Sequence, residues 1–246
     1  PEALQELINT QVVQIDDAII IGAPNPYDIG YYENKTLSDI QDIMLPTIVH
    51  IENDKLDTFG SGFIIEINEE FVTIATNEHV DVSFLVDVSV FVDVSFFDAH
   101  TCTGSVVASN AREDIAFIRI PIAETESTSS LLSSYVKNLR TVHINQSYWN
   151  KLENDAGTAF CYNCIDMDGH VWMSVEGHIL EKTAIRDWNE YKDVHETILS
   201  TEPVAGSSGS ALYDKQGRLM GMVRGYNNYE TYSETVAVPL DRILKY

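Results

Sequence analysis

The pattern of apolar and polar positions predicts a chain built mainly from β-strands. The run from Phe71 to Ala75 is apolar and strand-like, and it leads directly to His79. A second run begins at Asp114 and alternates, which puts Asp114 on the same face as the apolar Ile118. The segment after His79 alternates Val or Phe with Asp or Ser and predicts one or two further strands after a short helical turn.

A serine framed by glycines is the most informative chemical feature of the sequence. Ser208 lies in Gly-Ser-Ser-Gly-Ser, just before an apolar run. A serine hydroxyl becomes a nucleophile only when a base takes its proton and backbone N–H groups hold the oxyanion. Glycines on both sides let the backbone bend so that such groups converge.

Two residues upstream are candidates for the base and its partner. His79 ends a strand pattern, and Asp114 opens one on an apolar face, where a lone carboxylate would be costly. Pairing the carboxylate with an imidazole N–H would remove that cost. The chain order His79, Asp114, Ser208 is that of the chymotrypsin-type triad.

Four stretches carry a resemblance to trypsin-like serine proteases, in particular to the bacterial HtrA-like branch. Residues 37–51 resemble the helix, proline and first strand that open such a domain. Residues 60–65, followed by TNEHV, resemble the strands that deliver the histidine, and EDIAFIRI resembles the aspartate strand. The segment GSSGSALYDKQGRLMGMVRG, with VAVPLDRI after it, resembles the nucleophile loop, its hairpin and the closing strand and helix. The resemblance covers residues 37–246.

The resemblance implies an all-β fold of two antiparallel six-stranded β-barrels, with the active site between them and short helices near both ends. It divides the chain into an N-terminal extension at 1–36, a first barrel with the histidine and aspartate at 37–122, and a second barrel with the serine at 135–246. An insertion or long loops are expected around Trp172 to His195. The extension could be a packing arm, a pro-segment or an added strand.

The implied activity is that of a serine endopeptidase. Ser208 attacks the scissile carbonyl, His79 carries the proton, and Asp114 fixes the imidazole tautomer. Backbone N–H groups of Gly206 and Ser208 form the oxyanion hole, and no metal or organic cofactor is needed. Ser207 stands where trypsin has an aspartate that pairs with the new N-terminus, which argues for a site formed without cleavage.

The sequence leaves alternatives open for the substrate preference and for the regulation of the activity. Trypsin-like enzymes have the floor of the primary pocket six residues before the nucleophile, and here that residue is Glu202. A carboxylate there would favour Lys or Arg before the scissile bond. Alternatively, Glu202 points to solvent, and HtrA-like enzymes prefer small apolar residues. A peptide-binding pseudoprotease and a protease domain activated by a regulatory partner, or with a further domain beyond the chain end, are the alternative functions.

Composition limits the partners that we expect. The net charge of −23 over 246 residues would repel nucleic acid, and it indicates either a solvated acidic surface or an attraction to basic substrates. No stretch of about 18 apolar residues exists, so no membrane span is expected. The resemblance to serine proteases implies a protein or peptide substrate.

The three cysteines give a weaker signal. Cys161 and Cys164 form a C-x-x-C, which could be a pair of reduced thiols, a local disulfide or, with His170 or His178, a zinc knuckle at unusual spacing. The odd count favours a reducing compartment, such as the prokaryotic cytoplasm.

Overall fold

The computed structural model describes residues 32–53, 58–81, 91–122, 133–154, 157–165, 172–189, 191–202, 204–228 and 233–246. Nearly all of the N-terminal extension, residues 82–90 of the alternating segment after His79 and residues 123–132 between the two predicted barrels lie outside these residues, as does His170, the candidate zinc ligand. Within the described residues, no helix is long and apolar enough to cross a membrane.

The first half of the chain forms a closed antiparallel barrel. Its six strands are β1 (Ile48–Asn53), β2 (Thr58–Ile67), β3 (Phe71–Thr76), β4 (Phe91–Phe96), β5 (Thr101–Asn110) and β6 (Ile115–Pro121). They pair in the order β1-β2-β3-β6-β5-β4, and β1 also pairs with β4 to close the ring.

The second half forms another ring of antiparallel strands. These are β8 (Ala159–Ile165), β9 (Trp172–Trp188), β10 (Tyr191–Leu199), β11 (Ala211–Tyr213), β12 (Arg218–Asn228) and β13 (Ser233–Pro239), in the order β11-β8-β9-β10-β13-β12, with β11 pairing to β12. A two-residue strand, β7 (His143–Ile144), lies parallel to β12 at its outer side. The predicted all-β, chymotrypsin-like architecture is confirmed, and β7 is an addition to it.

Short helices connect and flank the barrels. They are α1 (Leu37–Met44), followed by a 3-10 turn (Leu45–Thr47), α2 (Glu78–Asp81), α3 (Ser133–Val136), α4 (Gln146–Lys151) and α5 (Leu240–Ile243). Helix α1 begins with a capping box, in which the Asp39 N–H donates to the Thr36 hydroxyl and the Thr36 N–H donates to the Asp39 carboxylate. The expected helices near both ends of the domain are therefore present.

Of the insertion or long loops expected around Trp172 to His195, the long loops are not found among the described residues and were a wrong expectation, whereas the insertion stays a prediction. This segment forms β9 and the first part of β10, which pair with each other up to a tight turn. Exposure alternates residue by residue from Met173 to Leu180, and it alternates again from Ala184 to Trp188 with the phase shifted by one position, where the pairing with β10 is irregular. Such alternation is that of a sheet with one packed face, because successive side chains point to opposite sides.

Strand β6 joins the two cores. Ile118 and Ile120 lie in the apolar core of the first barrel, whereas Ile115 and Phe117 belong to the core of the second. Both faces of β6 are buried, so its N-terminal end lies between the barrels. That end follows directly on Asp114.

The domain limits of 1–36, 37–122 and 135–246 stay a prediction. Helix α1 precedes the first barrel in sequence but contacts the second. The Gln41 side-chain amide donates to the backbone carbonyls of Tyr162 and Val175, both at 3.1 Å. The Asn163 side chain returns a hydrogen bond to the Gln41 carbonyl at 2.9 Å.

Candidate active site

The fold brings the three predicted triad residues to one place between the barrels. His79 lies on α2, three residues after β3 ends, and Asp114 lies in the turn just before β6 begins. Because β3 and β6 are antiparallel neighbours with Thr76 opposite Ala116, these two positions meet. Ser208 comes from the loop before β11 in the second barrel.

The side chains of the three residues form a continuous hydrogen-bonded row. Ser208 Oγ lies 3.0 Å from His79 Nε2, and His79 Nδ1 lies 2.9 Å from Asp114 Oδ2. A carboxylate only accepts hydrogen bonds, so the imidazole carries its proton on Nδ1 and turns the Nε2 lone pair to Ser208. The Asp114 side chain is 2% exposed, whereas that of His79 is 42% exposed.

Asp114 is buried for a reason other than the one that strand alternation suggested. It precedes β6 and has a positive φ of 56°, so it does not belong to the alternating face of that strand. Its carboxylate is surrounded by polar partners: the backbone N–H of His79 donates to Oδ1 at 3.1 Å. The buried Asn77 side chain donates a hydrogen bond to the backbone carbonyl of Asp114 at 3.0 Å and holds the turn.

The nucleophile loop is bent at two glycines. Gly206 and Gly209 have φ values of 83° and 85°, in the region that favours glycine. The Ser207 N–H donates to the Val204 carbonyl at 3.2 Å, which closes a turn with Gly206 at its third position. Among the described residues, the N–H groups of Gly206 and Ser208 donate no hydrogen bond within the protein.

Ser61 of the first barrel holds this loop, and sequence reasoning missed it. Its N–H donates to the Ser208 carbonyl at 2.7 Å, and its hydroxyl donates to the Gly206 carbonyl at 2.8 Å. A Cβ at Gly209 would overlap the Ser61 carbonyl oxygen, so only glycine fits there. The only signal in the sequence was the Gly-Ser-Gly at the start of a strand pattern.

A buried ion pair behind the triad was also missed. Arg224 on β12 is fully buried, and its Nη1 lies 2.9 Å from Glu196 Oε1, also fully buried. Its Nε lies 3.6 Å from Asp114 Oδ2. The signal available in the sequence was a single arginine inside the otherwise apolar run of β12.

The remaining candidates lie apart from this row. Ser207, the neighbouring serine, is buried, and the hydroxyl that reaches His79 is that of Ser208. Glu202 is exposed, in the segment between β10 and the nucleophile loop. Its side chain has no hydrogen bond or ion pair among the described residues.

The cysteines are thiols within the protein interior. Cys102, Cys161 and Cys164 are buried and form no disulfide. Cys161 and Cys164 are three positions apart on β8, so their side chains leave the strand on opposite sides. Burial raises the pKa of Cys102 to about 11 and also raises that of Cys161. Neither thiol is therefore a ready nucleophile at neutral pH.

Residues 60–222 match the family model of the trypsin-like peptidase domain. The chain belongs to the trypsin-like peptidase family. The match covers more than half of the chain and includes the histidine, aspartate and serine segments described above. No curated protein sequence matches the chain.

Two solved structures of similar fold are those of proteases. The crystal structure of the serine endoprotease from Yersinia pestis superimposes with a TM-score of 0.61 at 20% identity, covering 86% of this chain and 65% of that one. The HtrA-type protease AlgW with a tripeptide gives 0.61 at 17% identity, covering 86% and 62%. The chain thus spans slightly less than two thirds of either protein. At these identities the likeness shows the fold.

Proposed function

We propose that this trypsin-like peptidase is an active serine endopeptidase that hydrolyses peptide bonds through an acyl-enzyme intermediate. The observation that carries the proposal is the 3.0 Å contact between Ser208 Oγ and His79 Nε2, backed by Asp114. A nucleophile, a base and an orienting carboxylate within hydrogen-bond reach are what nucleophilic catalysis by serine needs.

In the proposed mechanism, His79 first acts as the base. It takes the Ser208 proton on Nε2 as Oγ attacks the scissile carbonyl, and it then gives that proton to the leaving amine. Asp114 stabilises the imidazolium that forms between these steps. A water molecule, deprotonated by the same imidazole, then hydrolyses the acyl-enzyme and releases Ser208.

The oxyanion of each tetrahedral intermediate is held by the backbone N–H groups of Gly206 and Ser208. The positive φ of Gly206 and the two hydrogen bonds from Ser61 support this assignment, because they fix the loop before substrate binds. In comparable enzymes one such donor contributes about 3–4 kcal/mol to the transition state.

Paired serine variants test the proposal. Ser208→Ala should lower the cleavage of a denatured peptide library by about 10⁴-fold or more, because the nucleophile is lost while the core is untouched. Ser207→Ala, the matched control, should cleave within about tenfold of the wild type. Unfolding by urea should show that both variants are folded.

Other outcomes identify the alternative functions. A wild-type chain that binds peptides without cleaving them would indicate a pseudoprotease. Cleavage that appears only when a partner protein is added would indicate partner-activated regulation. Loss of cleavage in Ser207→Ala with activity retained in Ser208→Ala would reassign the nucleophile.

We also propose that Glu202 gives a preference for Lys or Arg before the scissile bond. Its exposed carboxylate is screened by water, so we expect a preference of only about tenfold for an Arg peptide over a matched Val peptide. Glu202→Gln should abolish the preference, whereas Glu52→Gln, which changes an exposed carboxylate of β1, should retain it. Equal Arg preference in Glu202→Gln and wild type would remove Glu202 from the site.

A further inference from the structure

One residue contacts both ends of the triad. The backbone carbonyl of Arg224 lies 3.2 Å from Ser208 Oγ, as an alternative acceptor to His79 Nε2 for the one hydroxyl proton. Its guanidinium Nε faces Asp114 Oδ2 at 3.6 Å, too far for a hydrogen bond but close enough for a strong charge interaction in a buried place. Arg224 is therefore held against the nucleophile through its backbone and against the acid through its side chain.

The position of the guanidinium is fixed by several further contacts. Its Nη2 donates to the Glu113 carbonyl at 2.8 Å, and its Nη1 pairs with Glu196 at 2.9 Å. The face of the Trp188 ring lies 5.1 Å from its central carbon. These contacts hold the side chain with its Nε 3.6 Å from Asp114 Oδ2.

Glu196 balances the arginine from the side away from the triad. Its second oxygen accepts a hydrogen bond from Asn227 at 3.2 Å. Burial raises the pKa of Glu196 above its ordinary value, while Arg224 opposes that rise. The carboxylate thus depends on the arginine for its charged form.

We propose that Arg224 is a positioning residue of the triad, whose charge, balanced by Glu196, sets the pH at which His79 becomes a neutral base. The inference rests on the proposed function, because it assigns a role in the same site. It differs from a structural role, in which the Arg224–Glu196 pair would only fill the space behind Asp114.

The charged groups behind His79 alternate in sign. Imidazolium, Asp114, Arg224 and Glu196 form a row of alternating sign, in which the last three side chains are 0–2% exposed. Charges so poorly screened act on one another over several ångströms. A positive charge behind Asp114 disfavours a second positive charge in front of it, so Arg224 opposes protonation of His79 and Glu196 favours it.

Other charged groups pack around this row of four side chains, and their charges also act on it. Glu113 lies beside Asp114, but its carboxylate faces Arg242 of α5 at 3.8 Å. Arg186 of β9 interacts with Glu196 from the hairpin side. The charges of Arg242, Glu113, Asp241 and Lys245 act on His195, and Asp241 lies 3.9 Å from both Arg242 and Lys245. Arg224 is the cation that faces Asp114 directly among the described residues.

Three variants separate the charge from the packing. Glu196→Gln keeps the size of the side chain and removes its negative charge. Arg224→Met combined with Glu196→Gln removes both charges, which avoids leaving a buried carboxylate without a partner. Arg224→Lys keeps the positive charge with a different shape. Each is compared with the wild-type full chain for the NMR titration of the His79 imidazole and for the pH profile of kcat/KM. The His79 signal is assigned from the spectrum of His79→Gln.

The expected shifts have opposite signs. In Glu196→Gln the titration midpoint and the acid limb of kcat/KM move to lower pH by about half a unit, since the unbalanced arginine opposes the imidazolium more strongly. In the double variant both move to higher pH by a similar amount. Arg224→Lys stays close to the wild type, although its kcat falls several-fold because the lysine lacks the guanidinium contacts.

The readouts distinguish the two proposals. Midpoints that coincide in the folded wild type, Glu196→Gln and double variant would overturn the role of Arg224 while leaving the proposed protease intact. Midpoints that shift as expected in a chain that cleaves no peptide would support the electrostatic role and contradict the proposed activity. If the double variant does not fold, Glu196→Gln decides alone, and an unchanged or raised midpoint there overturns the inference.

Discussion

Gly206 is the residue at which backbone geometry and proposed chemistry are tied most closely. Its φ of 83° belongs to a turn whose central peptide presents the Gly206 N–H, and the Ser61 hydroxyl holds its carbonyl at 2.8 Å. A side chain would strain that conformation. The strain would be relieved by reversing the Ala205–Gly206 peptide, as in a type I turn, which would carry the N–H out of the oxyanion hole.

Gly206→Ala should therefore lower kcat by about 10²-fold, with a much smaller change in KM, because the lost donor acts in the transition state. The matched control is Gly157→Ala, which introduces a methyl group at a φ of 57° into open space. Steady-state kinetics and urea unfolding of both variants test this. A kcat of Gly206→Ala near the wild-type value would show that this N–H is not part of the site.

At the scale of residues, local motifs made the triad predictable. His79, Asp114 and Ser208 each stand in a short segment whose pattern can be read without knowing the rest of the chain. Arg224 and Glu196 could not be paired in this way, because they are 28 positions apart and meet only when β12 and β10 flank the same strand. The orientation of Asp114 was also missed, since its positive φ is not encoded in an alternation of apolar residues.

At the scale of elements, strand β2 holds the nucleophile loop in place through hydrogen bonds. Ser61 on this strand makes two hydrogen bonds to the loop, and its carbonyl accepts a third from the buried Thr76 hydroxyl at 2.7 Å. Gly60 beside it leaves room for the Ser208 carbonyl, which would lie 2.9 Å from a Cβ there. The first barrel thus shapes the loop that carries the nucleophile of the second.

Ser61→Ala should lower kcat/KM by about tenfold and the free energy of unfolding by about 1–2 kcal/mol, because it removes a buried hydrogen bond to the Gly206 carbonyl. The control is Ser95→Ala. Ser61 of β2 and Ser95 of β4 lie opposite the same residue, His50 of β1, on its two sides. The Ser95 hydroxyl contacts the exposed Thr101 and not the nucleophile loop. Equal activity of the two variants would contradict a role of β2 in shaping the loop.

Elements were predicted well where turn residues or landmark motifs bounded them. The strands around His79 and Asp114 and helix α1 appear where the sequence placed them. The hairpin of β9 and β10 was mistaken for loops, because its charged and small residues alternate over a strand of unusual length. That length is stabilised by pairing on both sides of β9, with β8 and with β10, which a single sequence does not reveal.

At the scale of the molecule, strand β6 of the first barrel contacts the cores of both barrels, and the site lies where that strand begins. Phe117 and Ile118, adjacent on β6, belong to different cores, and Phe63 of β2 and Ala75 of β3 also pack into the core of the second barrel. This arrangement holds His79 and Asp114 of one barrel against Ser208 of the other. The net charge of −23 was read as an acidic surface or an attraction to basic substrates, and those interpretations stay predictions.

The most direct test of the central claim is covalent labelling of the full chain with a fluorophosphonate, followed by mass spectrometry. The proposed triad predicts one adduct per chain, located on Ser208, formed at least about 10³-fold more slowly in a folded His79→Ala variant. It also predicts that labelling becomes faster as the pH rises through the range in which histidine loses its proton. An adduct on Ser207, or a folded chain that stays unlabelled, would contradict the account.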